Sequence, residues 1–418
     1  MTQSAGAHPV KRSEILGWCC FDFANSAFTT IIITVVYAVY FQKVVAEGVP
    51  QSEGWWGTAL AVSQLVVIGL SPLIGALADV MARKKQFLMG TALVCSAATA
   101  SLYFVGRGEI GLALGLVIVA NIAFSLSENL CSAFLPEIST PENAGRISGY
   151  GWSFGYFGGL LSLVLALWII GSGDGRTPYT FLMTGGFFFL ASLPTMLLLR
   201  ERARPQALAP GDTLWVLGWR QLARMRHDLP RHRTLAVFFV ALTLYLSGLM
   251  AVVAFAALYA TNVIGMEQKE VIGLFVVLQL AGVAGAFGFG FLQDRTGAKF
   301  ALILSLLLWL VVGVWGAACR TKVEFYLIGA IAGAAMGALQ SASRAVVSTL
   351  TPPGRAGEFF GYWGFFGKLA GVIGPLVFGW LVTVTGYRPA ILINAVFFLA
   401  GLLVLLPLSL KPRPAGGD

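Results

Sequence analysis

The sequence predicts an all-α polytopic membrane protein of twelve transmembrane helices, arranged as two pseudo-symmetric bundles of six. Three observations carry this prediction. Of 418 residues, 57% are hydrophobic and only 11% are charged, against roughly 45–50% and about 25% in an ordinary soluble domain. The charges are also missing from runs of about twenty residues, the length that spans about 30 Å of hydrocarbon at about 1.5 Å rise per residue. Finally, the chain repeats itself. Gly75-Ala-Leu-Ala-Asp79-Val-Met-Ala-Arg83-Lys84-Lys85 is echoed by Gly290-Phe-Leu-Gln-Asp294-Arg295-Thr-Gly297-Ala-Lys299, with the aspartates 215 residues apart. Gly149-Tyr150 matches Gly361-Tyr362, and Gly155 matches Gly367, each at an offset of 212. Offsets this similar at unrelated motifs indicate a duplicated unit of about two hundred residues.

Taken in order, the apolar segments run over 15–44, 57–78, 86–105, 110–134, 147–171, 178–199, 235–260, 270–293, 299–318, 323–350, 359–384 and 389–410. Backbone polar groups have no partner in lipid, so each segment is read as a helix, and the first and tenth are long enough to tilt. Lys11 and Arg12 before the first segment resemble the start of a signal peptide. That segment runs to about Val45 and carries Asp22 and Asn25, so it is read as a retained helix. The charged turn at 83–85 lies between the second and third segments, and its echo lies between the eighth and ninth.

The one long connection is Glu201–Thr234. Pro205 and Pro210 interrupt it, and Asp212 is placed to cap a short helix with Leu214, Leu217, Gly218, Leu222 and Met225 on one side. Arg220, Arg224 and Arg226 border that stripe, with Trp215 and Trp219 nearby. These residues fit an amphipathic helix lying on the inner leaflet. The expected organisation is an N-terminal six-helix bundle over 1–200, a cytoplasmic linker over 201–234 and a C-terminal bundle over 235–418.

With the N-terminus inside, twenty of the 28 Lys and Arg fall on the inner side and seven on the outer, leaving Lys368 within a helix. This bias predicts cytoplasmic termini and accounts for the net charge of +9 without a nucleic-acid partner. Cys19, Cys20, Cys95, Cys131 and Cys319 lie in or beside apolar segments without metal-site spacing, and His8, His227 and His232 lie outside them. No metal or cofactor is expected. The glycines recur at spacings of three and four, as in Gly282, Gly285, Gly288 and Gly290, which lets helices approach closely in lipid.

Gly75-x-x-x-Asp79-x-x-x-Arg83-Lys84 is similar to the loop motif between helices two and three of the major facilitator superfamily, with Ala82 where that motif has glycine. Trp18-x-x-x-Asp22-Phe-Ala-Asn25-Ser26-Ala-Phe28, Leu135-Pro136-Glu137-Ile138 and Gly155-Tyr156-x-Gly158-Gly159 resemble its vacuole-effluxer-like branch. The resemblance covers almost the whole chain. It implies the major facilitator fold, with helices one, four, seven and ten around a central cavity and halves that rock about it. Eukaryotic members of the branch are associated with amino-acid efflux from the vacuole.

Charges within membrane helices are costly, about 2.5–3.5 kcal/mol each on insertion scales. Asp22, Asn25, Ser26 and Thr29 share a face of the first helix, as do Asn121, Ser125, Glu128 and Ser132 on the fourth and Gln340, Arg344 and Ser348 on the tenth. Thr243, Ser247 and Tyr245 are the seventh helix's counterparts. Glu128 and Arg344 each lie eight residues before a proline, at similar depth in the inner half, and Lys368 lies near the midplane. Asp22 and Glu128 are therefore expected to face Lys368 and Arg344 across a cavity, the acids taking a substrate amine or a proton and the bases a carboxylate. The substrate- and proton-binding candidates are Asp22, Asn25, Asn121, Glu128, Gln340, Arg344 and Lys368. The competing reading is helix–helix hydrogen bonding for Asp22 and Asn25, and an inner-side salt bridge for Glu128 and Arg344. Tyr150, Tyr156, Tyr362 and Trp363 are candidates to stack a ligand, against the plainer reading of packing.

The expected activity is not enzymatic. It is secondary transport of a small organic solute, an amino acid or similar zwitterion moving outward, by alternating access with protons as the coupling ion. The protein is expected to act as a monomer in the bilayer of a bacterial inner membrane. A sugar, nucleoside or drug-like solute is the alternative cargo, and a non-transporting sensor the alternative class. A lipid-modifying enzyme would need a nucleophile or metal constellation, and none is visible. Gly75, Asp79, Arg83, Lys84, Asp294 and Arg295 are expected at the cytoplasmic mouth as hinge and inner gate.

Overall fold

Residues 10–49, 52–173, 175–203, 205, 229 and 231–410 are described in a computed structural model of the chain. The interfacial helix expected around Leu214–Arg226 lies outside the described residues. Among them, twelve helices are long and apolar enough to cross a membrane: α1 Arg12–Val45, α2 Trp55–Met81, α3 Lys84–Phe104, α4 Ile110–Ile138, α5 Ala144–Gly171, α6 Tyr179–Leu198, α7 Arg233–Asn262, α8 Gly273–Thr296, α9 Ala298–Ala318, α10 Lys322–Leu350, α11 Ala356–Thr385 and α12 Tyr387–Leu405. Each coincides with an expected segment to within a few residues.

Local chemistry explains the departures. As a straight α-helix, the 34 residues of α1 would run about 50 Å at about 1.5 Å per residue. Part of that length is absorbed by π-helical turns over Phe28–Val35 and Phe41–Val45, where Val36 N–H reaches Ile31 O at 2.9 Å and Ala46 N–H reaches Phe41 O at 2.8 Å. The first π stretch begins just beyond the polar face of Asp22, Asn25 and Ser26. In α4, regular hydrogen bonding pauses after Ser132 and resumes over Leu135–Ile138, where Pro136 sits in the first turn of a new helical segment.

Hydrogen bonds at helix ends define two faces. At the first, Arg202 beyond α6 pairs with Glu14 of α1 at 2.8 Å, and Lys299 at the start of α9 donates to Leu406 O beyond α12 at 2.5 Å. At the second, Gly108 N–H donates to Val45 O at 2.8 Å, and Lys322 of α10 pairs with Glu270 before α8 at 2.7 Å. Consecutive helices therefore alternate in direction.

Buried apolar side chains form two main clusters. One draws on residues from Trp18 to Leu199; the other runs from Leu235 to Leu410, with Ala133 its one earlier residue. Helices of the two groups meet where α2 packs on α11, α5 on α8 and α10, and α4 on α11. Small residues make this possible: a Cβ at Gly75 would strike the carbonyl of Gly357, and one at Gly149 would lie 2.5 Å from Ala286 O. Hydrogen bonds between the groups cluster from mid-helix to the first face.

Candidate functional site

Asp22 on α1 and Arg344 on α10 meet in the interior, with Arg344 Nη1 donating to Asp22 Oδ2 at 2.6 Å. Arg344 is 1% exposed, and its other donors are also engaged: Nε to Ser148 Oγ at 3.1 Å and Nη2 to Ser148 O at 3.0 Å. The guanidinium lies 4.5 Å from the Trp18 ring and 5.2 Å from that of Trp152, a stacking arrangement open to Arg through its planar, weakly hydrated head. Ser148 Oγ donates in turn to Ser341 O at 2.8 Å, and Trp18 Nε1 to Cys131 O at 2.7 Å. One guanidinium thus ties α1 and α5 to α10. Gly151 is required here, because a Cβ would lie 2.5 Å from Arg344 Nη2 and 2.7 Å from Trp18.

Glu128 and Lys368 are arranged differently. They are half-buried on α4 and α11 and lie within electrostatic reach of each other. Neither has a hydrogen bond or ion pair among the described residues. Gly364, one turn before Lys368, packs against the side chain of Asn129, the neighbour of Glu128. An opposite pair held apart in the interior can accept a carboxylate at the amine and an ammonium at the acid.

The remaining candidates divide. Gln340 Oε1 accepts from Tyr156 OH at 2.9 Å, another bond between the two groups of helices. Asn121 Nδ2 donates to Ser63 Oγ at 2.6 Å, and eight residues on Asn129 Nδ2 donates to Ser71 Oγ at 2.7 Å. These two amides zip α4 to α2 within the first group. Asn25 is buried at 6% exposed. On α7, Tyr245 OH and Ser343 Oγ lie 2.7 Å apart. Tyr150 packs on Phe287 and Phe291, and Tyr362 OH hydrogen-bonds to Glu358. The indole nitrogens of Trp152 and Trp363 are buried without a protein partner.

At the first face, Asp79 Oδ2 accepts from Glu358 N–H at 2.9 Å, in the first turn of α11, where unpaired N–H groups favour an anion. Asp294 mirrors this at α5, accepting from Arg146 N–H at 3.2 and 3.3 Å, with the Arg146 side chain at 3.7 Å. The base that engages Asp79 is Lys84, 3.6 Å away, 2% exposed and also paired with Glu137. Arg83 and Arg295, expected to share this role, are exposed: Arg83 lies in the non-helical turn before α3, and Arg295 is one residue, about 100° of helix rotation, from Asp294 on α8. Ala82 adopts φ 50°, the left-handed conformation in which the related loop motif has glycine.

Sequence reasoning missed Trp18 and Trp152 as partners of Arg344. It also missed Ser148, Glu14, Glu358 and Arg202, and it quoted Glu137 without a role. One signal was present. Pro141, Ala144 and Gly145 match Pro353, Ala356 and Gly357 at the same offset of 212, and these two turns face each other across a cavity of about 480 Å³ also lined by Lys84, Glu137 and Arg202. Beyond α6, the Glu201 carboxyl is raised above its ordinary value near 4.5 by burial, against the pull of the Lys85 N–H that it accepts and of the Lys84 charge. No group of three or more His, Cys, Asp or Glu side chains among the described residues is placed to hold a metal ion.

Residues 57–412 match the family model described as Vacuole effluxer Atg22 like. An uncharacterized MFS-type transporter, YxiO of Bacillus subtilis, is 23% identical over 401 residues, covering 93% of each chain. The human organic anion transporter MFSD10 superposes with a TM-score of 0.77 at 15% identity, covering 95% of this chain and 100% of that one. The proton:xylose symporter XylE superposes with a TM-score of 0.75 at 13% identity, covering 94% of both.

Proposed function

Because the chain belongs to the Atg22-like vacuole effluxer family of major facilitator transporters, we propose that it is a secondary active transporter exporting an amino acid or similar zwitterion by alternating access. The observation that carries this reading is the Glu128–Lys368 pair, opposite charges in the interior on facing helices with no hydrogen-bond or ion-pair partner among the described residues. Lys368 receives the solute carboxylate and Glu128 its ammonium. Glu128 is also the carboxylate that exchanges a proton during the cycle. Arg344 has a different role. With its donors committed to Asp22 and Ser148, it locks the halves 1–200 and 235–418 together.

The first face is the cytoplasmic one in this reading, in a bacterial inner membrane, and the protein works as a monomer. Asp79, Lys84 and Asp294 hold that face shut while the solute site opens outward, and solute enters from the cytoplasm when they part. The test is counterflow of labelled amino acids in proteoliposomes, with and without a pH gradient, for the parent, Glu128→Gln and Lys368→Met. The reading predicts uptake by the parent, loss of gradient dependence in Glu128→Gln and loss of binding in Lys368→Met. Uptake unchanged by both substitutions would overturn it.

A further inference from the structure

The duplication that pairs Asp79 with Asp294 also pairs Gln64 with Gln279, each fifteen residues before its aspartate, and Tyr156 with Lys368 at the offset of 212. The seam of α2 and α11 therefore carries a charge where the seam of α5 and α8 carries a phenol. Fifteen residues make about 22 Å of helix at about 1.5 Å per residue, so Gln279 lies deep in the span, far from the contacts at the first face. There it meets α1 and α5. A Cβ on Gly159 would lie 3.0 Å from Thr30 Oγ1 and 3.4 Å from Gln279 Nε2, so a hydroxyl and an amide close on one point of α5, within a span that one hydroxyl can bridge. Tyr156, one turn before Gly159, closes one side. Its ring lies against Gly282, one turn from Gln279, and its hydroxyl is committed to Gln340 Oε1 at 2.9 Å.

Thr30 and Gln279 are half-buried, and neither side chain has a hydrogen-bond partner among the described residues, yet neither polar end is sealed in. Gln64 differs, with its Oε1 buried. The open pair does not face lipid. Phe157 and Leu161, 48% and 43% exposed, mark the lipid side of α5, and each is two residues from Gly159, about 200° around the helix. Unpaired amides and hydroxyls are expensive in hydrocarbon, so groups left open at this depth face water or a ligand. Neither group is charged, and together they offer donors and acceptors that match a hydroxyl or a carboxamide. We infer that Thr30 and Gln279 form a subsite for an uncharged hydroxyl or carboxamide group of the solute, with the Tyr156 ring beside it. The inference rests on the zwitterion reading above and narrows it to solutes with a polar, uncharged side chain.

The test is isothermal titration calorimetry on the purified full chain with glutamine and with methionine, which are similar in length and differ in the carboxamide. The parent should bind glutamine about tenfold tighter, as one or two net hydrogen bonds give. Gln279→Met keeps the length of the side chain and removes both polar atoms. It should erase that preference and leave methionine binding unchanged, a pattern that a general loss of packing does not produce. If Gln279→Met does not fold, Thr30→Val, which is nearly isosteric, gives the same reading. Equal affinities in the parent, or a preference that survives the substitution, overturn the inference. If neither amino acid binds, the zwitterion reading fails and xylitol, a neutral polyol, decides the subsite. Xylitol binding that is lost in Gln279→Met upholds the subsite on a neutral solute; no binding, or binding that the substitution leaves unchanged, overturns it.

Discussion

The Asp22–Arg344 pair gives the sharpest mutational prediction, because the assigned lock and a mere packing contact differ in two measurable ways. Removing one member of a buried ion pair leaves the other charge uncompensated, which costs about 3–5 kcal/mol. Asp22→Asn should fall in that range. Arg344→Gln also forfeits two hydrogen bonds to Ser148, about 1 kcal/mol each, and stacking on Trp18 and Trp152, so it should exceed Asp22→Asn by about 2 kcal/mol or more. The double variant leaves no orphan charge and should recover about 2–3 kcal/mol relative to the sum of the singles. Reversible unfolding titrations in mixed micelles measure the cycle. The lock also predicts a change of conformation. Ser348 is 4% exposed and lines the cavity at the first face, so a cysteine there should label faster in either single variant than in the otherwise unchanged Ser348→Cys parent. Strictly additive costs, or labelling that does not accelerate, would refute the reasoning.

Three further outcomes follow from the geometry. Ala82→Gly should stabilise the chain by about 0.5–1 kcal/mol in thermal or denaturant unfolding, because the left-handed strain of about 1–2 kcal/mol it removes exceeds the unfolded-state entropy that glycine adds. Gly75→Ala, whose Cβ would strike the Gly357 carbonyl, should part α2 from α11, raise labelling at Ser348→Cys and slow turnover in a transport assay. The Glu201 carboxyl is raised above its ordinary 4.5 by burial, so its favourable contribution is complete at low pH and lost as pH rises through the raised value. Glu201→Gln keeps an oxygen for the Lys85 N–H and removes that loss. Its unfolding midpoint should therefore gain on the parent as pH rises from the ordinary to the raised value, and hold that gain above it.

Much of this was legible in the linear chain, for physical reasons that can be named. Lipid leaves the backbone no alternative to helices, and the bilayer sets their length, so the twelve spans could be drawn to within a few residues. A duplicated unit showed itself through Asp79 with Asp294 and Gly149 with Gly361. Charge within apolar runs is rare enough that Asp22, Glu128, Arg344 and Lys368 were singled out without coordinates. Helical periodicity alone also placed Asn121 on the face of Glu128.

What only the tertiary structure decided is which side chains meet. Asp22 and Arg344 are 322 residues apart, and nothing in the spacing of either helix says that Arg344 meets Asp22 while Glu128 and Lys368 stay unbonded. Lys84 rather than Arg83 joins Asp79 because α3 begins at Lys84, which is buried beside Asp79 and Glu137, while Arg83 stays exposed in the non-helical turn before it. Asn121 faces Ser63 on α2, a contact set by how α4 rolls against its neighbour, and periodicity within α4 does not determine that roll. The π-helical turns of α1 likewise carry no mark in the residues themselves. The bilayer dictates the form and number of the helices from local chemistry, whereas partners are set by the packing of one helix on another, a property of pairs of surfaces that no single stretch of chain contains.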